Sequence, residues 1–439
     1  MSRWKRIALT LSLLVPLLPL LGGCGDEEEA AGAGVTVEVW VHAGQESERR
    51  TLEAQVARFN AQHKGKLRVD LTFIPEGSYN DQVQAAAVAG ELPDLLEFDG
   101  PFLYAYVWQG RLRTLDDLLP QPLIDDLLPS ILEQGRYHGR LWAVGTYDSG
   151  LGLYADRRRL EQAGARIPSL QRPWSRKEFD ALLKRLAEQD PDGQVFDIKL
   201  NYAGEWYTYA FSPLLQSAGG DLIDRQTQRA VGTLDGPASV SALQTVQQWI
   251  KVGLVDPNID DAAFTGGRVA LALGGHWNYP RYHEALGDSL LLLPLPDFGN
   301  GPRSGQGSWC WAVTADSDLP HEAAEFLRFL LQPDEVLAMS EANDAVPASR
   351  RAIARSPRYR EGGALRLFVE QLQGGYSVPR PRTPAYPVIT AEFQQAVDRI
   401  RAGGSVQAAL TAAAKAIDRE IADNHGYPLV GRAREEAER

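Results

Sequence analysis

Residues 35–98 read VTVEVWVHAGQESERRTLEAQVARFNAQHKGKLRVDLTFIPEGSYNDQVQAAAVAGELPDLLEF, and the order of patterns in this stretch decides the fold. Val35–Trp40 alternates side-chain polarity and is rich in β-branched residues, as a strand requires. Gln45–Asn60 places Leu52, Val56 and Phe59 on one helical face. Leu67–Ile74 alternates again, Tyr79–Ala89 is an alanine-rich helix, and Leu95–Phe98 is a third, short strand. A β-α-β-α-β order predicts a mostly parallel sheet with helices on both faces. Ligands of such sheets collect at the carboxyl ends of the strands. Here those ends are Trp40–Gln45 and Asp99-Gly100.

Working outward, a second α/β region begins near Gly145, with strand-like Gly150–Tyr154 leading into an arginine-rich helix. Trp174–Glu188 reads as a helix in which Ser175 and Glu178 form a capping box. Asp190-Pro-Asp-Gly193 opens like a calcium loop, but Asn201 stands at the twelfth position, so a tight turn is expected. Helices follow over Phe211–Ala218 and Ala238–Val252. A buried strand then enters a glycine-flanked loop at Gly274-Gly-His-Trp277. Ser308–Thr314 is the next strand, Leu319–Leu331 an amphipathic helix, and Ala391–Ala422 is helical. No 20–50-residue repeat and no heptads are present.

The chain opens MSRWKRIALTLSLLVPLLPLLGGC: a basic start, an apolar run from Ile7 to Leu21 shorter than the ~18 residues of a membrane span, then small residues. Residues 1–23 are therefore expected to be a signal peptide. Residues 24–34, with Asp26–Gly34 reading DEEEAAGAG, are expected to be a flexible tether. Loss of Arg3, Lys5 and Arg6 with the leader makes the formal charge of −12 three units more negative, which argues against nucleic acid as a partner. Of the two cysteines, Cys24 lies at the expected cleavage site; once it is lipidated there, Cys310 has no intramolecular partner for a disulfide.

Leu21-Gly-Gly-Cys24 resembles the bacterial lipobox, which implies a lipidated Cys24. Behind it stand Ala89-Gly-Glu-Leu-Pro-Asp-Leu95, Gly110-Arg-Leu-Arg-Thr-Leu-Asp116, Gly139-Arg-Leu-Trp-Ala-Val-Gly145 with Leu153-Tyr154, Gly267–Trp277, Ala323-Ala-Glu-Phe-Leu-Arg-Phe-Leu330 and Pro379–Tyr386. In this order they resemble the solute-binding proteins of ABC importers, specifically the carbohydrate-type, maltose-binding-like group. Gly145, Ala155 and His276 depart from its usual proline, asparagine and proline. The resemblance implies two α/β lobes of the type II-like periplasmic-binding-protein fold, each a mostly parallel sheet flanked by helices, joined by a three-segment hinge. The expected division is 35–146 plus 311–357 for the first lobe, 147–310 plus 358–428 for the second, and 429–439 as a charged tail. It also implies a monomer held outside the cytoplasm by its lipid anchor. Such a protein passes a sugar to membrane permease subunits, or its closed state to a receptor.

A sugar offers hydroxyls at its rim and apolar C–H faces, so its site wants carboxylates and amides beside flat aromatic rings. Candidates in the first lobe are Gln45, Glu46 and Asp99. In the second, Asn201-Tyr-Ala-Gly-Glu-Trp-Tyr207 sits where the family places a loop with a ligand-binding acid and aromatic, which gives Glu205, Trp206 and Tyr207. Trp277 resembles the family's stacking tryptophan. Asp148 lies at the expected crossover, Arg380 or Arg382 offers a planar donor fork, and Tyr386 is a further aromatic. In GSWCWAV (307–313), alternation puts Trp309 and Trp311 on one face and Cys310 on the other. Ser308 and Trp309 are then expected to meet ligand, Trp311 to pack inside, and Cys310 to be an inert buried thiol. The histidines show no metal-ligand spacing, and G-x-S-x-G and P-loop motifs are absent, so no metal, cofactor or catalytic residue is assigned. Paired carboxylates in a sugar cleft could make a hydrolase, which is the alternative.

Overall fold

A computed structural model describes residues 34–438; the leader, Cys24 and nearly all of the tether lie outside the described residues. The strands that matter are β1 (Val35–His42), β2 (Leu67–Ile74), β3 (Leu95–Asp99), β4 (Leu151–Asp156), β5 (Phe196–Asp197), β6 (Leu271–Gly275), β7 (Leu290–Leu293) and β8 (Trp309–Val313). The first sheet has the order β8-β3-β1-β2 and the second β7-β4-β6-β5. In the first, β1 runs parallel to β2 and β3 while β8 runs against β3. In the second, β5, β6 and β7 share a direction and β4 alone is reversed. Both exceptions have one cause. The parallel strands end at the cleft, and β4 and β8 are the strands by which the chain enters a lobe from the cleft side, so each starts where the others finish.

Each sheet is covered on both faces. Val37, Val39, Val41, Trp311 and Val313 pack into one core of the first lobe, and Leu96, Phe98, Cys310 and Ala312 into the core on the opposite face. The alternation read in GSWCWAV therefore holds. The helices that position the site are α1 (Glu46–Gln62), α2 (Arg176–Ala187), α3 (Glu205–Ser217), α4 (Pro320–Leu330), α5 (Tyr386–Arg401) and α6 (Val406–Asp423). The Ser175 cap is in place: its hydroxyl accepts from the Glu178 amide at 3.2 Å and the Glu178 carboxylate accepts from the Ser175 amide at 2.9 Å. Gly403-Gly404 divides the expected Ala391–Ala422 helix into α5 and α6.

Three crossovers join the lobes. Tyr147-Asp148 pairs antiparallel with Val346-Pro347, and Ser304–Gln306 pairs parallel with Ser377–Pro379. A bridge from Gly150 to Gln306 ties the first two crossovers together. Gly145 has no room for a side chain, since a Cβ there would meet the Tyr147 carbonyl oxygen at 2.8 Å. Two expected boundaries move. Tyr359, Leu365, Phe368 and Val369 lie in the first lobe's core rather than the second's, because their apolar faces close over Ala345 and Val346, so the third crossover follows residue 369. The expected charged tail, as far as residue 438, packs on the body of the protein: Gly431–Glu438 is helical, and Leu429 and Ala437 pack on the first lobe while Ala433 is buried.

Candidate functional site

The carboxyl ends of β1 and β3, the start of β8 and the end of β6 face one another across the crossovers, and this is where the side chains of interest gather. On the first lobe, Trp309 lies opposite Asp99 in the β8–β3 register. Its ring stacks on His42 at 3.7 Å and 6° and takes Tyr79 edge-on at 5.4 Å. His42 Nδ1 donates to Glu97 at 2.7 Å. Burial alone would lower the imidazole pKa, but the Glu97 carboxylate, with Glu48 and Glu76, more than reverses this, so His42 holds its proton above its ordinary range. Trp309 stays half-buried, so one aromatic surface on this lobe remains accessible at the cleft.

The facing wall belongs to the second lobe. Trp277 is half-buried and folds back over Gly275, where a Cβ would fall 2.1 Å from the indole. That contact explains the glycine in Gly-Gly-His-Trp. Trp206 meets Trp277 edge-on at 6.3 Å, and Tyr209 lies tilted at 6.3 Å. Beside this wall Arg380, only 6% exposed, joins the lobes. It gives two bonds of 2.9 Å to Asp99 on the first lobe, another to Glu205 at the start of α3, and sits 5.0 Å over the Tyr209 ring. Glu205 also accepts from Thr390 at 2.7 Å and from the Tyr386 hydroxyl. Burial raises the Glu205 carboxyl pKa; Arg380 opposes that shift and the nearby Asp99 charge adds to it.

Beneath the walls lies a buried hinge. Asp148 accepts from the amide of Ser149 at 2.8 Å, from Gln134 Nε2 at 3.3 Å and from the Gly307 amide at 3.3 Å, and burial raises its pKa despite these bonds. His276 Nδ1 lies 2.9 Å from the Asn343 carbonyl oxygen and Nε2 3.0 Å from Ser149 Oγ. A carbonyl only accepts, so the proton sits on Nδ1 and Ser149 donates to Nε2. Burial lowers the His276 pKa to about 4, which keeps the ring neutral. The Cys310 thiol is pushed up by burial, as expected of an inert cysteine.

The expected residues divide accordingly. Asp99, Glu205, Arg380 and Tyr386 form one network, with Tyr386 buried against Phe102 rather than presented as a ring face. Trp277 and Trp309 stand on opposite walls. Asp148 and Ser308 are buried hinge groups, Ser308 taking a bond from Gly100 N on its carbonyl at 3.0 Å. Gln45 is the N-cap of α1, its amide bonded to Glu48 at 2.7 Å. Glu46 points to solvent and pairs with Arg50 at 3.1 Å. Tyr207 is a core residue, fully buried and stacked on Phe211. The physical reason is that residues 205–207 begin a helix, whose side chains turn by ~100° per residue and cannot all face one cleft. Trp206 is nearly buried, with only its edge behind Trp277, and its indole N–H bonds to Ile198 O at 3.2 Å. Arg382 reaches Glu133 at the surface instead. Sequence reasoning missed Tyr209 and His42. The first lies four residues after Glu205, where helical spacing would have found it; the second falls within a strand end that had been marked without naming it.

The chain is similar to known proteins in sequence and in fold. The family model described as bacterial extracellular solute-binding protein matches residues 43–336. An uncharacterized lipoprotein in the oleD 5' region of Streptomyces antibioticus is 27% identical over 79% of this chain and 78% of its own. The diacetylchitobiose binding protein DasA of Streptomyces coelicolor is 23% identical over 76% and 79%. Among solved structures, the GacH receptor of Streptomyces glaucescens, determined unliganded and with acarbose, superposes with a TM-score of 0.76 at 22% identity, covering 89% of this chain and 99% of its own. The chain belongs to the bacterial extracellular solute-binding protein family.

Proposed function

We propose that this chain is a monomeric, lipid-anchored binding protein that captures a sugar between Trp309 and Trp277 and hands it to the membrane subunits of an ABC importer from outside the cytoplasm. The observation that carries the reading is the pair of half-buried tryptophans on opposite lobes, with Arg380 linking Asp99, opposite Trp309, to Glu205 on the lobe that carries Trp277. Aromatic faces suit the C–H surfaces of a pyranose, and a guanidinium held between carboxylates suits vicinal hydroxyls. Relatives named for diacetylchitobiose, maltotriose and galactooligosaccharide support a carbohydrate. A ligand that touches both walls favours the closed form by its differential affinity, and membrane subunits can read that form. The lipid anchor rests on Cys24 in Leu-Gly-Gly-Cys and on the lipoprotein relative.

Binding rather than hydrolysis is the better reading of the acids. Asp99 and Glu205 clamp the same guanidinium, which keeps its proton, so the pair presents a fixed charge array instead of a proton donor facing a nucleophile. Thermal unfolding of the purified protein against a panel of mono-, di- and trisaccharides tests the function. A sugar at 100 times its Kd stabilises by about 2.7 kcal/mol, a readily measured rise in Tm. No shift across the panel, or steady release of new reducing ends, overturns the reading.

A further inference from the structure

Glu97 stands in register with Trp311, and Leu95 with Val313, so this carboxylate lies on the face of the first sheet that carries the apolar core. It is only 4% exposed. A carboxylate so placed needs a counter-ion. The Arg49 guanidinium is taken by the carbonyl oxygens of Ala43 and Gly44, at 2.5 and 2.9 Å. His42, at the cleft end of β1, supplies the charge instead: Nδ1 donates to Glu97 at 2.7 Å, and the His42 amide reaches the same oxygen at 3.3 Å.

The opposite face of this imidazole lies on Trp309, with the two rings parallel to within 6° at 3.7 Å and Tyr79 closing the indole edge. Against the imidazole lies a cavity lined by His42, Glu48, Glu97, Thr146, Tyr147 and Trp311. Packing is therefore incomplete on that side, and the ion pair sets where the imidazole stands. Two more acids act on it from neighbouring elements. Glu48 of α1 is fixed by the Gln45 amide at 2.7 Å and by Asn343 Nδ2 at 2.9 Å, and Glu76 begins the helix Glu76–Ala89. Asp99 lies opposite Trp309 in the strand register.

We propose that His42 is the positioning residue of the Trp309 wall: its charge, anchored by Glu97, holds the indole in its seat, and sugar binding is coupled to that charge. The proposal rests on the cleft being the sugar site, and it adds a proton to the binding reaction. A sugar on the outer face of Trp309 removes water from the indole but little from His42, which is already buried. Attraction between a cation and an aromatic ring strengthens as the pair is desolvated, so the sugar favours the protonated imidazole. Reciprocity then makes the protonated protein the tighter binder. His42 keeps its proton above the ordinary histidine value of 6.5, so affinity is whole below that value and falls as pH rises through the raised one. His276, beneath the walls, stays neutral across this range, with its pKa lowered to about 4.

Isothermal titration with maltotriose and with the β-1,4-linked dimer of N-acetylglucosamine, from about pH 6 to about pH 9, tests the coupling with whichever sugar binds. In the unaltered protein affinity should fall about three- to tenfold over this range, with proton uptake on binding that appears as a buffer-dependent heat. His42→Gln should bind at pH 6 about as weakly as the unaltered protein does at pH 9, with no remaining pH slope. In a Trp309→Ala background the same substitution should cost less than about twofold more, because the imidazole acts through the indole. A merely structural histidine would lower Tm and add its loss whether or not Trp309 is present. A flat pH profile in the unaltered protein, or additive losses in the double variant, overturns the positioning role and leaves the sugar site intact. Absence of binding by the unaltered protein at every pH overturns the sugar reading and the coupling with it.

Discussion

Removing Arg380 is the most informative perturbation of the clasp between the lobes. The guanidinium is almost entirely buried and gives two bonds of 2.9 Å to Asp99 and one to Glu205. In Arg380→Met the stem is kept and the charge is lost, so two carboxylates are left facing each other without a counter-ion. Breaking a buried pair in this way costs about 3–5 kcal/mol, a large share of the roughly 5–15 kcal/mol that holds a domain together. Urea unfolding followed by tryptophan fluorescence at pH 7 should show that loss as a lower midpoint with an unchanged slope.

The deficit should also depend on pH. Burial already raises the Glu205 carboxyl pKa with Arg380 present; without it the folded state binds a proton more readily than the unfolded state does. Stability of the variant therefore rises as pH falls from 7 toward the ordinary carboxylate range, and the gap to the unaltered protein narrows. Adding Asp99→Asn and Glu205→Gln to Arg380→Met should recover most of the loss at pH 7, because neutral amides do not repel. A loss under about 1 kcal/mol at pH 7, or a triple variant no better than the single one, would refute the reasoning.

The other predictions concern the hinge, a cap and a tryptophan seat. His276, held neutral with its pKa lowered to about 4 against 6.5 for a free histidine, contributes stability that is whole above pH 6.5 and is lost as pH falls from 6.5 to about 4. The full loss is up to about 3 kcal/mol at 1.36 kcal/mol per unit. His276→Gln should flatten that part of the stability-versus-pH curve, and an unchanged slope would contradict the assignment. Ser175→Ala removes the α2 cap and should cost about 1 kcal/mol in urea unfolding. Gly275→Ala puts a methyl where the Trp277 ring now lies, so it should weaken sugar binding at least tenfold with a smaller effect on Tm; equal affinity would show that Trp277 does not need its present seat.

Much of the framework was legible because it follows local rules. The opening strand–helix–strand run, the Ser175 capping box and the opposed faces of Trp309 and Cys310 all follow from period-2 or period-3.6 spacing. Trp277 was legible from its glycine-flanked loop. The misreadings share a physical origin. Glu205, Trp206 and Tyr207 look alike as consecutive polar and aromatic residues, but a helix sends Tyr207 into the core and brings the buried Tyr209 against Trp277 and Arg380. Arg380 and Asp99 are 281 residues apart, and no local pattern announces which charge an arginine will meet across two crossovers. Nor did spacing separate a cleft-facing acid from a hinge acid: Asp148 is polar, near the crossover and fully buried. The third crossover was placed too early because Tyr359, Leu365 and Phe368 carry no mark of which lobe they will close over.

The central claim is that one ligand bridges two walls on different lobes. Its most direct test is calorimetric titration of the tightest-binding sugar into the unaltered protein and into Trp309→Ala and Trp277→Ala, each checked for a native melting transition. A ligand held between the walls loses contact in both variants, so each should bind at least tenfold more weakly. Unchanged affinity in either variant would place the sugar on one lobe alone and contradict the account.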